Sequence, residues 1–515
     1  MSENRPDPRL AVSRCCGAAA PAGVTRRDFI ATSGAAGVLS LAGCTASLVA
    51  DQADAGAAPP RKPLVVKPVL TYDVPNRRKQ TSWRNWGGIH TPEAATEEVA
   101  RIQGELGKIT AGADFPLEIL PVAALRGANE VANVADLAQA DAVVIYAAGG
   151  GQNIFDAIVK TGKPVIIFIR HRSGPVSLWY EIISPRYLHQ HGDQLASKGV
   201  DNNDVVIDSL DDLAWRLRAL TGLKNTLGLK ILAVGGAAGW SKIDKPAPEY
   251  AREKFQFDIV DVKYPDLKKL IVAAREDARV VQSAKDRAAA YLKGDVSLET
   301  EKVFVENAFL LEQVFRAMMD QAGTRAITVN NCMGTIMPIA ETTACLTLSL
   351  LNDAGYLAFC ESDFVVIPSG VLLTAISNKP QFLNDPTYPH HGIVTIAHCT
   401  GPRRMNGKDA ERARIVTHFE SDYGAAPKVE MKKGTVCTNI IPDFGFKKYF
   451  GFRGEIADAP FLPICRDQVD VAYKIPDEKI ALNMPGFHWE FCYGDYLKEF
   501  GYALKKTGIG WECLG

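Results

Sequence analysis

No Cys-x-x-Cys pair occurs in this chain, and between Cys44 and Cys332 it has no cysteine at all. That absence removes the short thiolate spacings by which structural zinc sites and dithiol redox motifs are recognised. One-sided charge is missing too. Lys and Arg total 58 against 59 Asp and Glu, a net charge of −1, so no electrostatic argument for nucleic acid exists. Outside the first sixty residues there is no internal repeat, heptad array or low-complexity tract. What the 515 residues do contain is 47% hydrophobic side chains, enough for two or three domains with sizeable cores.

The amino terminus reads as an address. Thr25-Arg26-Arg27-Asp28-Phe29-Ile30 has the form of a twin-arginine export signal, followed by small and apolar residues over 31–42. That stretch is too short to span a bilayer as a mature helix. Leu41-Ala42-Gly43-Cys44 resembles a bacterial lipobox, which makes Cys44 the expected lipidation site. Cleavage elsewhere, giving a soluble exported protein, is the alternative. The expected location is periplasmic or membrane-anchored, with 1–44 as signal and the Ala- and Pro-rich 45–62 as a flexible tether.

Strand-like and helical runs then alternate, which predicts parallel sheets. In a first module, 63–227, strands are expected at 63–70, 141–147 and 164–169 and a helix at 97–106. Gly149-Gly150-Gly151 follows the second strand. It is not a Gly-x-Gly-x-x-Gly motif, and a tight turn is the simpler use than a phosphate or sugar cradle. Trp83, Arg84 and Trp86 crowd one short loop. Aromatic faces beside a guanidinium suit a sugar ring or carboxylate, and they equally suit a packed seam. A second module, 228–333, has expected strands at 229–234, 257–262 and 325–329 and helical stretches at 267–292 and 297–319.

The third part, 334–515, carries the chemistry. Glu361 follows the apolar run 356–360, Asp385 follows the run 380–383, and the apolar segment 365–376 between them is long enough for a helix. A strand–helix–strand unit of this kind predicts the two carboxylates at neighbouring strand ends, the usual ligand position in open α/β sheets. Pro368 belongs in the first turn of that helix or delays it. Acids at strand ends also cap helices or pair with lysines. Beyond 394 the chain turns β-rich, and it closes with an amphipathic helix at 497–505. His398 ends an apolar run beside Cys399, and His488 stands between Phe487 and Trp489. Neighbours on a strand point to opposite faces, which argues against a Cys399–His398 nucleophile. Eight cysteines lie from Cys332 onward at irregular spacing, compatible with disulfides or with buried free thiols.

From about Gly334 to Gly515 these residues resemble the L-fucose and L-arabinose isomerase superfamily. The resemblance implies that Glu361 and Asp385 are metal ligands and proton-transfer groups. It places the third ligand on His488 and a substrate-facing or shell-completing role on His398. It also implies a homo-oligomer whose fold is two doubly wound parallel-sheet modules followed by a mixed α+β domain with a β-rich, barrel-like end. Where related enzymes have a small Gly-Ala segment with Thr and Met after the first acid, this chain has Val365-Val366-Ile367-Pro368-Ser369-Gly370.

Aldose–ketose interconversion passes through an ene-diol, whose developing charge a divalent cation on oxygen ligands stabilises. Hard carboxylates with an imidazole suit Mn²⁺, with Mg²⁺ or Co²⁺ as alternatives. The expectation is thus a metal-dependent isomerase acting on a free sugar. Two alternatives stay open: a sugar-binding lipoprotein without turnover, and a metal-independent glycoside hydrolase using Glu361 and Asp385.

Overall fold

A computed structural model describes residues 58–84, 87–196 and 199–515. The twin-arginine segment, Cys44, the greater part of the tether and Trp86 lie outside the described residues. The chain divides into two compact units, Pro60–Thr226 with Lys498–Lys506, and Leu227–Leu497 with Thr507–Gly515.

In the first unit the strands are β1 (Leu64–Thr71), β2 (Leu117–Ile119), β3 (Ala123–Leu125), β4 (Ala142–Ala147), β5 (Val165–Ile169) and β6 (Val205–Ile207). They form one parallel sheet in the order β2-β1-β4-β5-β6, with β3 also on β1. Both faces of β4 and β5 are buried, which is why these strands read as continuous apolar runs rather than alternating ones. Gly150 turns the chain after β4 at φ +83°. A Cβ there would stand 3.0 Å from Ile154 Cδ1 and 3.2 Å from Tyr72 O, so the turn itself accounts for the glycine. The terminal helix Leu497–Lys505 belongs here from Lys498 on, where Tyr502 Oη donates to Asp204 at 2.7 Å.

The second unit contributes β7 (Lys230–Val234), β8 (Asp258–Val262), β9 (Val296–Leu298), β10 (Ala326–Val329), β11 (Leu357–Cys360), β12 (Phe382–Pro386), β13 (Ile393–His398), β14 (Ala413–Val416), β15 (Ala426–Val429), β16 (Val436–Ile441), β17 (Lys448–Asp458), β18 (Asp467–Ala472), β19 (Trp489–Tyr493) and β20 (Gly510–Cys513). Four of them make a parallel sheet, β11-β10-β7-β8. This sheet takes β11 from beyond 334, so the boundary expected after 333 does not divide it. Six strands pair antiparallel in the order β16-β19-β12-β13-β18-β17 and close through β16 and β17 into a barrel, with β20 added on β17. The barrel begins at β12, earlier than the β-rich region expected from 394. Its interior is filled by alternate residues including Phe382, Val394, Ile396, Val469, Val471, Trp489 and Phe491. β9, β14 and β15 form a small separate sheet.

Two helical expectations need correction. The run 267–292 is two helices, Tyr264–Glu276 and Ala278–Leu292, because Asp277 has extended backbone and its carboxylate accepts from Arg279 N, capping the second. The run from 297 begins as β9, which pairs with β14, and its helix is Lys302–Ala322. Helix α1 (Ile367–Ser377) sets Pro368 in its first turn and is buried at every residue, the pattern of a core helix. Among the described residues, no single helix is long and apolar enough to cross a membrane.

Candidate functional site

Glu361 comes directly after β11, and the backbone there departs from the strand. Glu361 has φ +64° and Ser362 φ +50°, two consecutive non-glycine residues in the left-handed region. Each such residue costs about 1–2 kcal/mol. Surrounding bonds hold the turn in place: Ser362 N donates to Thr328 Oγ1 at 3.1 Å, Ala238 N to Ser362 O at 3.1 Å, and Phe364 N to Ala238 O at 3.0 Å.

The other members come from one end of the barrel. β12 and β19 run antiparallel with Asn384 opposite Trp489, and continuing that register by one residue sets Asp385 opposite His488. On the other side of β12, Asp385 pairs with Ala397, next to His398 at the end of β13. Asp385 is therefore a barrel residue. The expectation that it ends a neighbouring strand of the parallel sheet is corrected: after α1 the chain leaves that sheet and opens the barrel. The two acids still converge, because Glu361 in the turn after β11 and Asp385 on β12 both reach His488, the residue before β19.

His488 Nε2 lies 3.3 Å from Asp385 Oδ1 and 3.5 Å from Glu361 Oε2, and His398 Nε2 lies 3.6 Å from Glu361 Oε1. Glu361, His398 and His488 each present a ligand atom within 4.8 Å of the others. Among the described residues, this buried triad is one of two groups able to hold a metal ion. It differs from the ligand set expected from the sequence, in which Asp385 stood where the structure puts His398; Asp385 borders the triad through His488. The donor set fits a divalent cation on further grounds. Asp385 Oδ1 and His488 Nε2 are buried, close together, and make no hydrogen bond, so a cation between them would supply the missing partner. Carboxylate and imidazole donors suit Mn²⁺ and related ions.

Asp363 and Trp240 escaped the sequence reading. Asp363 Oδ1 accepts from Trp240 N at 3.1 Å and Val365 N at 3.0 Å, while Oδ2 faces His488 Nδ1 at 2.7 Å. That contact fixes the imidazole and leaves Nε2 aimed at the acids, the outer-shell arrangement typical of metal-binding histidines. Trp240 stacks on Phe487 with centroids 5.2 Å apart and meets the His488 ring edge-on. The two-residue spacing from Glu361 to Asp363 was visible in the sequence, but the partner is 125 residues away.

Burial and charge oppose each other here. Desolvation pulls His488 down, yet the bond to Asp363 and the charges of Asp385, Asp363 and Glu361 hold it up at about 9. Burial raises Asp385 to about 6 against the pull of His488 and His398. Glu490 is pushed well above the usual carboxylate range by burial, with neither carboxyl oxygen hydrogen-bonded, and it packs on Gly370 of α1.

Cys399 does not face away from its neighbour. β13 ends at His398, alternation lapses, and Cys399 Sγ comes to 3.7 Å from His398 Nδ1. The eight described cysteines are free thiols. His390 and His391 are exposed turn residues. In the other unit, Trp83 is half-buried and Arg84 exposed, with the guanidinium 5.1 Å from the Trp83 ring centre. No protein-family model matches this chain, and no curated protein matches it either.

Proposed function

We propose that the chain is a metal-dependent aldose–ketose isomerase-like protein that acts on a free sugar. The observation that carries this reading is the convergence of Glu361 and Asp385 on the same imidazole nitrogen, His488 Nε2, at 3.5 and 3.3 Å. Two carboxylates and two imidazoles in one buried cluster supply both the ligands and the proton carriers that the reaction needs. Glu361, His398 and His488 would hold a divalent cation, Mn²⁺ in this reading, which would supply polarisation of the sugar oxygens as ene-diol charge develops.

The reaction moves the hydrogen on C2 to C1 and the hydroxyl proton on O2 to O1. One carboxylate of the Glu361 and Asp385 pair takes the C2 proton and returns it to C1. Asp363 keeps His488 in one ring orientation throughout. Burial of the cluster limits water access and makes each charge interaction stronger than in bulk solvent. The loop with Trp83, Arg84 and Trp86 is proposed as a sugar-contact surface on the chemistry of its side chains alone.

The remaining parts of the reading are the chain's organisation and address. The parallel sheets and closed barrel are compatible with two doubly wound modules preceding an isomerase-like domain, and that superfamily supports a homo-oligomer. The twin-arginine-like segment and Cys44 support export, to the periplasm or to a lipid tether on the membrane.

The test is incubation of the purified full chain with a panel of aldoses and glycosides and Mn²⁺, against a chelated control, in deuterated water. Chelator-sensitive ketose formation with deuterium entering at the transferred carbon supports isomerisation. Bound metal with no conversion of any sugar favours a binding protein, and conversion of glycosides without metal favours a hydrolase.

A further inference from the structure

A second set of donors lies outside the cluster just described. Cys345 stands in the first turn of helix Ala344–Asp353, Cys399 follows β13, and His418 sits in the hairpin between β14 and β15. Each is buried, and their ligand atoms all lie within 4.8 Å of one another. The Cys399 thiol also meets the thiols of Cys360 and Cys465, and Cys465 packs on the Cys345–Cys399 pair. His418 is held by its own hairpin: its N–H donates to Tyr423 O and its carbonyl accepts from Asp422 N, both at 3.0 Å. Ser421 Oγ engages Nδ1 at 3.2 Å, so Nε2 is the nitrogen left for another partner.

We propose that Cys345, Cys399 and His418, with Cys465 as fourth donor, form a binding site for Zn²⁺. Geometry and charge both favour this ion. A tetrahedral zinc with bonds to sulfur near 2.3 Å requires donors about 3.8 Å apart, so donors already within 4.8 Å need shifts of under an ångström. Three thiolates and one neutral imidazole bring the complex to a net charge of −1, which carries a far smaller burial penalty than the isolated charges. Soft sulfur donors also separate this site from the carboxylate–imidazole cluster, which prefers harder ions. The two sites adjoin through His398 and Cys399, consecutive residues with Nδ1 and Sγ 3.7 Å apart, so metal in the thiolate site fixes the backbone that carries His398. The assignment does not depend on the proposed isomerase activity.

Co²⁺ added to the reduced full chain is the probe. Thiolate-to-cobalt charge transfer and tetrahedral visible bands arise at the sulfur site, and the oxygen–nitrogen cluster gives no thiolate band. The expected result is one thiolate-ligated Co²⁺ per chain, displaced by one equivalent of Zn²⁺. The band should survive Glu361→Gln, disappear in Cys399→Ser, and weaken with at least tenfold lower Co²⁺ affinity in His418→Gln. Where Cys399→Ser fails to fold by circular dichroism, the wild-type spectrum and His418→Gln decide. Absence of the band from the folded wild-type chain overturns the site. So does a His418→Gln spectrum and affinity equal to wild type, or a non-reducing peptide map showing Cys345 joined to Cys399.

Discussion

His488 Nδ1 and Asp363 Oδ2 stand 2.7 Å apart with both side chains buried, while Asp363 Oδ1 is fixed by two backbone N–H groups. Asp363 is thereby a positioning residue for the imidazole. Asp363→Asn keeps the side chain's size but weakens its hold on Nδ1. Mn²⁺ affinity is expected to fall about 10- to 100-fold, measured by competition with a chelator. An unchanged affinity would show that His488 is held by packing alone.

Glu361→Gln removes the charge that faces both imidazoles and leaves the left-handed turn intact. Ketose formation is expected to be lost with the melting temperature within a few degrees of wild type, checked by sugar assay and calorimetry. Full activity in this variant would remove Glu361 from the chemistry.

Gly370 lies in the interior of α1, where glycine to alanine ordinarily gains up to about 1 kcal/mol. Here the added Cβ would stand 2.3 Å from Glu490 Oε1 and 2.6 Å from Phe359 Cε1. Gly370→Ala is therefore expected to destabilise by about 1–3 kcal/mol in denaturant melts. A stabilised variant would mean that Glu490 has room to move.

Asp353 closes helix Ala344–Asp353, and its carboxylate accepts from Arg404 N at 2.7 Å. Burial raises its pKa to about 6, against the backbone bonds and charges of Arg403 and Arg404. Because the folded state holds this proton more tightly than the unfolded chain, the contribution of this carboxyl to stability is fully present below its ordinary pKa of 3.8 and is lost as pH rises through about 6. Asp353→Asn keeps an acceptor and cannot ionise. Its advantage over wild type is expected to grow between pH 4 and pH 7, to at most ~3 kcal/mol, in melts across that range. A pH-independent difference would contradict the cause assigned.

The parallel strands were legible because full burial leaves continuous apolar runs, and β4, β5, β7 and β10 fall within a residue of their expected positions. The acids flanking α1 were legible for the same reason. The barrel was not, because Asp385 joins His488 through the pairing of β12 with β19, strands far apart in sequence. Asp363, Trp240 and the Cys345–Cys399–His418 group share that property: each makes its decisive contact with a residue whose distance along the chain carries no period. The break at Asp277 carried an N-cap residue type, but the helical pattern on either side concealed it.

Mn²⁺ binding to the purified chain, read by the loss of the free-ion paramagnetic resonance signal, tests most directly whether Glu361, His398 and His488 form a metal centre. The account predicts a saturable site in the wild type and at least tenfold weaker binding in His488→Gln with the fold retained. Equal binding by the two proteins, or none by the wild type, would contradict it.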